Sequence, residues 1–455
     1  MSFLQTLVTT LSQTVQQLER QLKQHNTSID DLSLYTAQPS HLDEDKYLPP
    51  PEIFTLFEKL RVDARALETA VTPTRHKLAL IALSQTKASA LEAAVQLGVA
   101  DEIAGTSNGE IALTDLAQRL GVNANKLGRI LRILESDFIF CETAPGVFAN
   151  TRHSLGLLEK AGGKRMLSFL ARDTAEANLG VYANLTDPDA KDSFASTASP
   201  FSKAIAKGPT AFTDWLVLPQ SAGMLDRVAG VTWLNQFTRP ALLNDYPWPQ
   251  TSLVDVGCGP ADTALDLLAL HPGLRVTALD LPPVVATAAA ALAPDLAGRI
   301  AFVAHDYFGP DAMPGRGDAF FARGVLRDYS DDDSAKLLAG VREAMVASGP
   351  ACRLLVNEVL TGPACVVGRG EGVAPSALLD AARQGEVRQS AWPEVANLMA
   401  QNAFVVFGGM ERTREEMEAL MRRVGFRIEK VWRMRSFIVM IECVVDEEWK
   451  GPGVA

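Results

Sequence analysis

The second half of the chain predicts an α/β domain built on a parallel, doubly wound sheet, and three observations predict it. Apolar runs of strand length recur at SLVDVG (252–257), RVTALD (275–280), IAFVAHD (300–306), DAFFARGVL (318–326), CRLLVNEVL (352–360) and RSFIVMIECVV (435–445), with helical stretches between most of them. The first run breaks into a turn at Gly257 and Gly259, and a helix begins near Ala261. The second run ends on Asp280, about twenty residues past the glycines, where an acid in such a sheet accepts hydrogen bonds from both ribose hydroxyls.

The elements before that domain read differently. Leu4, Leu7, Val8, Leu11, Val15, Leu18 and Leu22 recur at helical spacing, which predicts an amphipathic helix facing a core or a second copy. Its polar side is rich in Gln and Thr rather than Lys and Arg, which argues against a membrane surface. Residues 36–52 (TAQPSHLDEDKYLPPPE) hold four prolines and read as a linker. From 53 to 245 the pattern is mostly helical. Within it, 111–142 reads as a helix, a turn near Gly121-Val122-Asn123, a second helix and a short strand, a winged helix-turn-helix. The predicted division is therefore 1–52, 53–245 and 246–455. The stretch 361–391 reads as an insertion, and its role stays open.

Composition limits the function. The chain has 455 residues, 47% apolar and 21% charged, with a net charge of −11. That sign disfavours a nucleic-acid partner, since phosphate binding calls for a basic surface. Residues 101–160 carry eight acids against six Lys and Arg, so the winged module is expected to pack or dimerise rather than read DNA. Cys141, Cys258, Cys352, Cys365 and Cys443 are widely spaced and imply neither a disulfide framework nor a zinc site. No secretory leader or membrane-spanning run is expected, and a cytoplasmic setting follows as the expectation.

The glycine loop suits one cofactor better than another. A dinucleotide fingerprint would place a third glycine at 262, which is Asp262. S-Adenosylmethionine has no pyrophosphate and does not need it. The candidate cofactor residues are Asp255, Gly257, Gly259, Asp280, Leu281, Asp306, Tyr307 and Arg323, with Asp306 in HDY (305–307) placed to meet an adenine amino group.

The motifs VDVGCGPA, ALDLPPVV, HDYF, VLRDYSDDD and GGMERTREEMEALMRRVGF together resemble the S-adenosylmethionine-dependent O-methyltransferases of the plant and fungal small-molecule type, over roughly residues 75–445. The resemblance implies a Rossmann-like class I methyltransferase domain preceded by a mainly α-helical winged-helix dimerisation domain, and a homodimer. Ala261 departs from it, since many members carry a third glycine there. A larger departure is Arg327, where the family pattern has the histidine that takes a proton from a phenol or enol. An arginine stays protonated at physiological pH and is no base. Glu358 and Glu411 match the family's two acids.

A fungal branch resembling this family, the O-methyltransferase-like pericyclases, keeps the cofactor as a bound cation and cyclises or dehydrates polyketide-derived pyridones. Members resemble this chain in carrying Arg-Asp or a lysine at the base position, with a histidine from the winged region. Here that pattern falls on Arg327, Asp328 and His153. A cation in that seat donates a charge-assisted hydrogen bond to a substrate oxygen. Asp328 would fix Arg327 or assist a dehydration, and His153 would donate a further bond or remove a proton. Other readings stay open: Arg327 and Asp328 as a structural ion pair, Glu411 as structural, and His153 as a surface residue. Met399, Phe404 and Phe407 line either the substrate pocket or the core. The competing functions are an O-methyltransferase of a phenolic or enolic metabolite, with His153 or Asp328 as base, and a silent cofactor-binding subunit.

Overall fold

The computed structural model describes residues 2–25, 34–44, 46–249, 251–362, 374–376 and 393–451. They divide into two compact units. One comprises Met1–Asn178, Thr213–Phe237 and Val366–Ala381, and the other Leu179–Phe212, Thr238–Cys365 and Ala382–Ala455. By packing, then, residues 179–212 count with the second unit, whereas the expected three-way division places them before 245.

In the first unit, α1 (Phe3–Gln24) starts at a capping box on Ser2 and packs on α2 (Pro51–Val71). Leu18 and Leu22 of α1 meet Ile53 and Leu56 of α2 in a small core. The expected stripe is split: Leu7, Leu18 and Leu22 are buried, whereas Leu4, Val8 and Val15 are exposed. Helix α3 (Thr74–Ala82) follows and buries none of its residues. The winged module is β1 (Glu110–Ala112), α4 (Leu113–Leu120), α5 (Ala124–Glu135), β2 (Phe140–Ala144) and β3 (Val147–Asn150). Its strands lie in the order β1-β3-β2 and pair antiparallel. Gly121 ends α4 in the left-handed conformation, φ 68°, and the Asn123 side chain accepts the amide of Lys126 to start α5. Leu116, Leu127, Leu131 and Phe148 share one core between the helices and the wing.

The second unit is a seven-stranded sheet in the order β6-β5-β4-β7-β8-β10-β9. Its strands are β4 (Ser252–Val256), β5 (Arg275–Asp280), β6 (Ile300–Ala304), β7 (Ala319–Arg323), β8 (Arg353–Glu358), β9 (Phe426–Arg433) and β10 (Val439–Val445). The first five pair parallel. The expected parallel, doubly wound sheet is present through β8, and at its far edge β10 runs antiparallel to both β8 and β9. β9 was not among the expected strands. Only Phe426 of its residues is fully buried, and it carries Arg427, Glu429, Lys430 and Arg433. Charges of this kind protect an edge strand from pairing with another chain, and they hide its apolar signal.

Helices α6 (Asp262–Leu270), α7 (Pro282–Ala290) and α8 (Asp331–Ser348) connect strands of the sheet, and α9 (Pro393–Phe407) and α10 (Arg414–Arg423) precede β9. The main core gathers Val254, Val256, Phe320, Leu354 and Val356 from the strands with Leu337, Leu338 and Val341 from α8. The chain leaves β4 outward to β5 and β6, then returns to place β7 on the other side of β4. That reversal opens a crevice at the carboxyl ends of β4 and β7, the usual ligand position in such sheets. The expected insertion 361–391, with Cys365, lies outside the described residues except for 361–362 and 374–376. Among the described residues, no helix is long and apolar enough to cross a membrane.

Phe320 is wholly buried in the central strand β7, so Phe320→Ala is expected to cost about 3–5 kcal/mol. Val346 is 57% exposed on α8, and Val346→Ala is expected to stay within about 0.5 kcal/mol. Urea unfolding midpoints of the two variants measure the contrast.

Candidate active site

At the end of β4 the chain turns through Gly257 (φ 76°), Gly259 (φ 52°) and Ala261 (φ 62°). All three are left-handed. A Cβ on Gly257 would stand 2.7 Å from Val325 Cγ2, whereas one on Gly259 would meet nothing within 4 Å. The loop is therefore packed behind Gly257 and open beside Gly259, a cradle free for a ligand. Ala261 adopts the left-handed conformation with a side chain, at a cost of about 1–2 kcal/mol. The sequence departure at this position thus changes the residue and keeps the backbone shape.

Asp280 holds the loop with both oxygens: Oδ2 accepts the Gly259 amide at 2.8 Å and Oδ1 the Leu281 amide at 2.8 Å. Burial raises its pKa, and those two N–H bonds oppose the shift. Asp255 is 3% exposed. Burial pushes it up to about 7 against the pull of Arg323. Arg323 donates to Thr263 Oγ1 at 2.9 Å and Thr238 Oγ1 at 2.6 Å. Tyr307 donates its hydroxyl to the Leu279 carbonyl at 3.3 Å. Arg323 and Tyr307 thereby tie together the segments on either side of the loop. Leu281 and Asp306 are exposed, and Asp306 Oδ1 accepts the Phe308 amide at 3.0 Å. Gly259, Leu281 and Asp306, with the outer edge of Asp280, are the parts left facing outward.

The second half of the site hangs from the 3₁₀ turn Leu326–Asp328, just past β7. Arg327 points inward, its side chain 14% exposed, with Nη1 2.9 Å from Glu411 Oε1. The expected partner, Asp328, is farther off, at 3.8 Å from Nε. Nη2 donates to the Met399 carbonyl at 3.2 Å. The Glu411 contact is an ion pair without hydrogen-bond alignment, and both Glu411 oxygens lack a hydrogen bond among the described residues. Among the described residues, Arg327 therefore donates one hydrogen bond from five N–H groups. Burial works to lower its pKa, but Glu411, Asp328 and Glu358 outweigh burial and raise it.

Glu358, at the end of β8, gives Oε1 to the Leu326 amide at 3.0 Å. Its Oε2 has no hydrogen-bond partner among the described residues. Burial lifts Glu358 to about 8, with Glu411 adding to the rise and Arg327 opposing it. Burial also raises Glu411, against Arg327 and Arg412, and lifts Asp328 to about 7 against Arg327. Asp328 keeps 33% exposure, so solvent moderates its shift. Asp328, Glu358 and Glu411 thus surround Arg327, while Arg412 is paired with Asp331.

Arg412, absent from the candidate residues, is wholly buried and spans the site. Nothing in the sequence separates it from a surface arginine of GGMERT. Gly409 was missed as well: a Cβ there would run into the Arg327 carbonyl. Met399, Phe404 and Phe407 are half-buried on α9. Phe407 stacks edge-on against Phe212, with ring centroids 5.3 Å apart. His153 stands in the other unit, exposed at the start of a 3₁₀ turn. Burial lowers its pKa, with Arg152 adding and Asp43 opposing. The acid and arginine cluster is assembled without it.

Because the folded Glu358 carboxyl sits near 8 against an ordinary 4.5, its contribution to stability is present at low pH and lost as pH rises through about 8. Glu358→Gln removes that ionisation. Its melting temperature relative to the parent chain is expected to be higher at about pH 9 than at about pH 6. Equal differences at the two pH values would count against the buried acid.

Residues 236–427 match the O-methyltransferase domain, and residues 81–160 match the O-methyltransferase dimerisation domain. The O-methyltransferase tpcA of Aspergillus fumigatus is 26% identical over 444 residues, 88% of this chain and 89% of that protein. The O-methyltransferase ARMGADRAFT_1088206 of Armillaria gallica is 30% identical over 331 residues, 66% of this chain and 69% of that protein. Among solved structures, LaPhzM aligns with a TM-score of 0.65 at 22% identity, over 82% of this chain and all of that one. LepI in complex with SAM aligns with a TM-score of 0.65 at 17% identity, over 86% of this chain and 94% of that one. These two likenesses speak for the fold. The chain belongs to the O-methyltransferase family, with a helical dimerisation domain ahead of a Rossmann-like class I domain whose cofactor is S-adenosylmethionine.

Proposed function

We propose that the chain binds S-adenosylmethionine without consuming it and accelerates a pericyclic cyclisation, with or without dehydration, of a polyketide-derived pyridone. The observation that carries this reading is Arg327: a permanent cation, turned inward, with N–H donors to spare. Gly259, Leu281 and Asp306 would hold the cofactor on the open side of the loop. Asp280 would meet the ribose, and Asp255, Arg323 and Tyr307 would keep the loop in shape. When bound, the cofactor supplies a fixed positive charge. Arg327 donates to a substrate carbonyl or amide oxygen as electron density grows there, in a site whose low exposure strengthens the interaction. Glu411 holds the guanidinium in place while leaving donors free. Asp328, with a pKa of about 7, exchanges protons readily near neutrality and would assist departure of a hydroxyl.

A second reading is favoured by that same Asp328 and by relatives named as O-methyltransferases. In it, Asp328 would take the proton from a phenol or enol, and S-adenosylmethionine, held by the same loop, would supply a methyl group to the freed oxygen and be left as S-adenosylhomocysteine. The two readings separate by mass. Incubation with a polyketide pyridone alcohol and S-adenosylmethionine is expected to yield a dehydrated or isomeric product with the cofactor recovered intact. A product heavier by one methyl group, with S-adenosylhomocysteine, would overturn the first reading. Arg327→His is expected to slow the cyclisation on the order of 10²–10³-fold. An unchanged rate would remove Arg327 from the mechanism.

We also propose that the chain is a homodimer whose interface includes α3. Leu78, Leu80 and Ile81 are 62%, 53% and 61% exposed there, and the dimerisation match begins at residue 81. A second copy covering this row would remove a large apolar area from water. Light scattering is expected to give twice the chain mass, and Leu80→Asp with Ile81→Asp is expected to give a folded monomer. A dimer that survives both substitutions would place the interface elsewhere.

A further inference from the structure

We propose that Arg412 is a positioning residue that sets the Leu326–Asp328 turn and thereby keeps the Arg327 donors free for substrate. The inference rests on the reading that Arg327 faces the substrate, whichever reaction follows.

The two neighbouring arginines are used in opposite ways. Arg412 spends every donor. Its Nε donates to Asp331 Oδ1 at 2.8 Å. Its Nη1 donates to the carbonyls of Leu326 at 2.9 Å and Met410 at 3.4 Å. Its Nη2 donates to the Tyr329 carbonyl at 3.1 Å and to Ser334 Oγ at 3.2 Å. Two of these acceptors, the carbonyls of 326 and 329, flank Arg327 and Asp328. Two more, Asp331 and Ser334, stand in the first turns of α8. The fifth is in the loop that carries Glu411. One planar group therefore joins the turn, the helix after it and the segment bearing the ion-pair partner.

Other contacts hold the turn as well: within it the Asp328 amide donates to the Val325 carbonyl, and the Tyr329 amide and Ser334 hydroxyl donate to the Leu326 carbonyl. The Leu326 amide donates to Glu358 Oε1 and the Met410 amide to the Arg327 carbonyl. Gly409 has no side chain to push that carbonyl away. Without Arg412, the Tyr329 carbonyl would lose its buried donor, and the Leu326 carbonyl would keep only the Ser334 hydroxyl and the Tyr329 amide, so the turn would lose the fork that ties it to the Met410 segment and to α8. Arg327 would move with the turn. A lysine has three donors on a tetrahedral head and does not reproduce the fork. Arg412 also sits beside the acids that hold Arg327, and its charge favours their ionised forms.

The test uses the full chain with two variants, Arg412→Lys and Asp331→Ala. Asp331 is 47% exposed, so Asp331→Ala frees only Nε and keeps the experiment readable should Arg412→Lys fail to fold. Hydrogen–deuterium exchange of residues 324–332 is expected to speed up by about tenfold in Arg412→Lys, and less in Asp331→Ala, as local opening becomes easier. Turnover of the pyridone alcohol is expected to fall on the order of 10²-fold in Arg412→Lys, the scale of a misplacement of about 1 Å. S-Adenosylhomocysteine binding by calorimetry is expected to stay within about twofold, because the glycine loop is braced separately. Unchanged exchange in both variants overturns the proposal. So does faster exchange with unchanged turnover, provided Arg327→His is itself slow. If Arg327→His is fully active, the proposed function falls instead, and exchange alone then decides whether Arg412 holds the turn.

Discussion

The site depends on a buried imbalance of charge. Arg327 and Arg412 bring two permanent cations into a place where Asp328, Glu358 and Glu411 bring three acids. Burial penalises every ionised form, so each acid is pushed upward, and the nearby guanidiniums oppose that shift. The two arginines are held in different ways. Arg412 is saturated by carbonyls, a hydroxyl and Asp331 and stays put. Among the described residues, the Arg327 guanidinium donates one hydrogen bond and pairs with Glu411 and, at longer range, with Asp328. A buried guanidinium with unused donors is costly to maintain, and a substrate oxygen is a natural way to satisfy it.

The sheet supplies the frame for that imbalance. Its order reverses at β4 and β7, so the glycine loop and the Leu326–Asp328 turn leave adjacent strands at the same end. Gly257 lets the first loop pack against Val325, the residue that opens the second turn. The cofactor cradle and the arginine turn are therefore in van der Waals reach of one another through two residues. Asp280 ties the cradle to β5, and Glu358 ties the turn to β8. Each loop is anchored to a neighbouring strand by a side-chain carboxyl oxygen that accepts a backbone amide.

Much of this was legible in the sequence. The glycines at 257 and 259, the acid at 280 and the arginine at 327 follow from strand ends and from a motif whose parts sit at fixed spacing. The parallel strands were visible because buried strands are continuously apolar. β9 was not, because an edge strand alternates with charge. The partners of Arg323 were also hidden, because Thr238 and Thr263 reach it from outside its own strand.

By itself the sequence determined the family, the order of the two domains and the identity of the cation at 327, since these depend on local pattern and on residue chemistry. The tertiary structure alone decided which acid holds that cation. Asp328 is its neighbour in the chain, yet Glu411, 84 positions away in the numbering, lies closer. A turn fixes where the backbone goes, but a long side chain finds its partner across the fold, and that pairing depends on packing which no local pattern encodes.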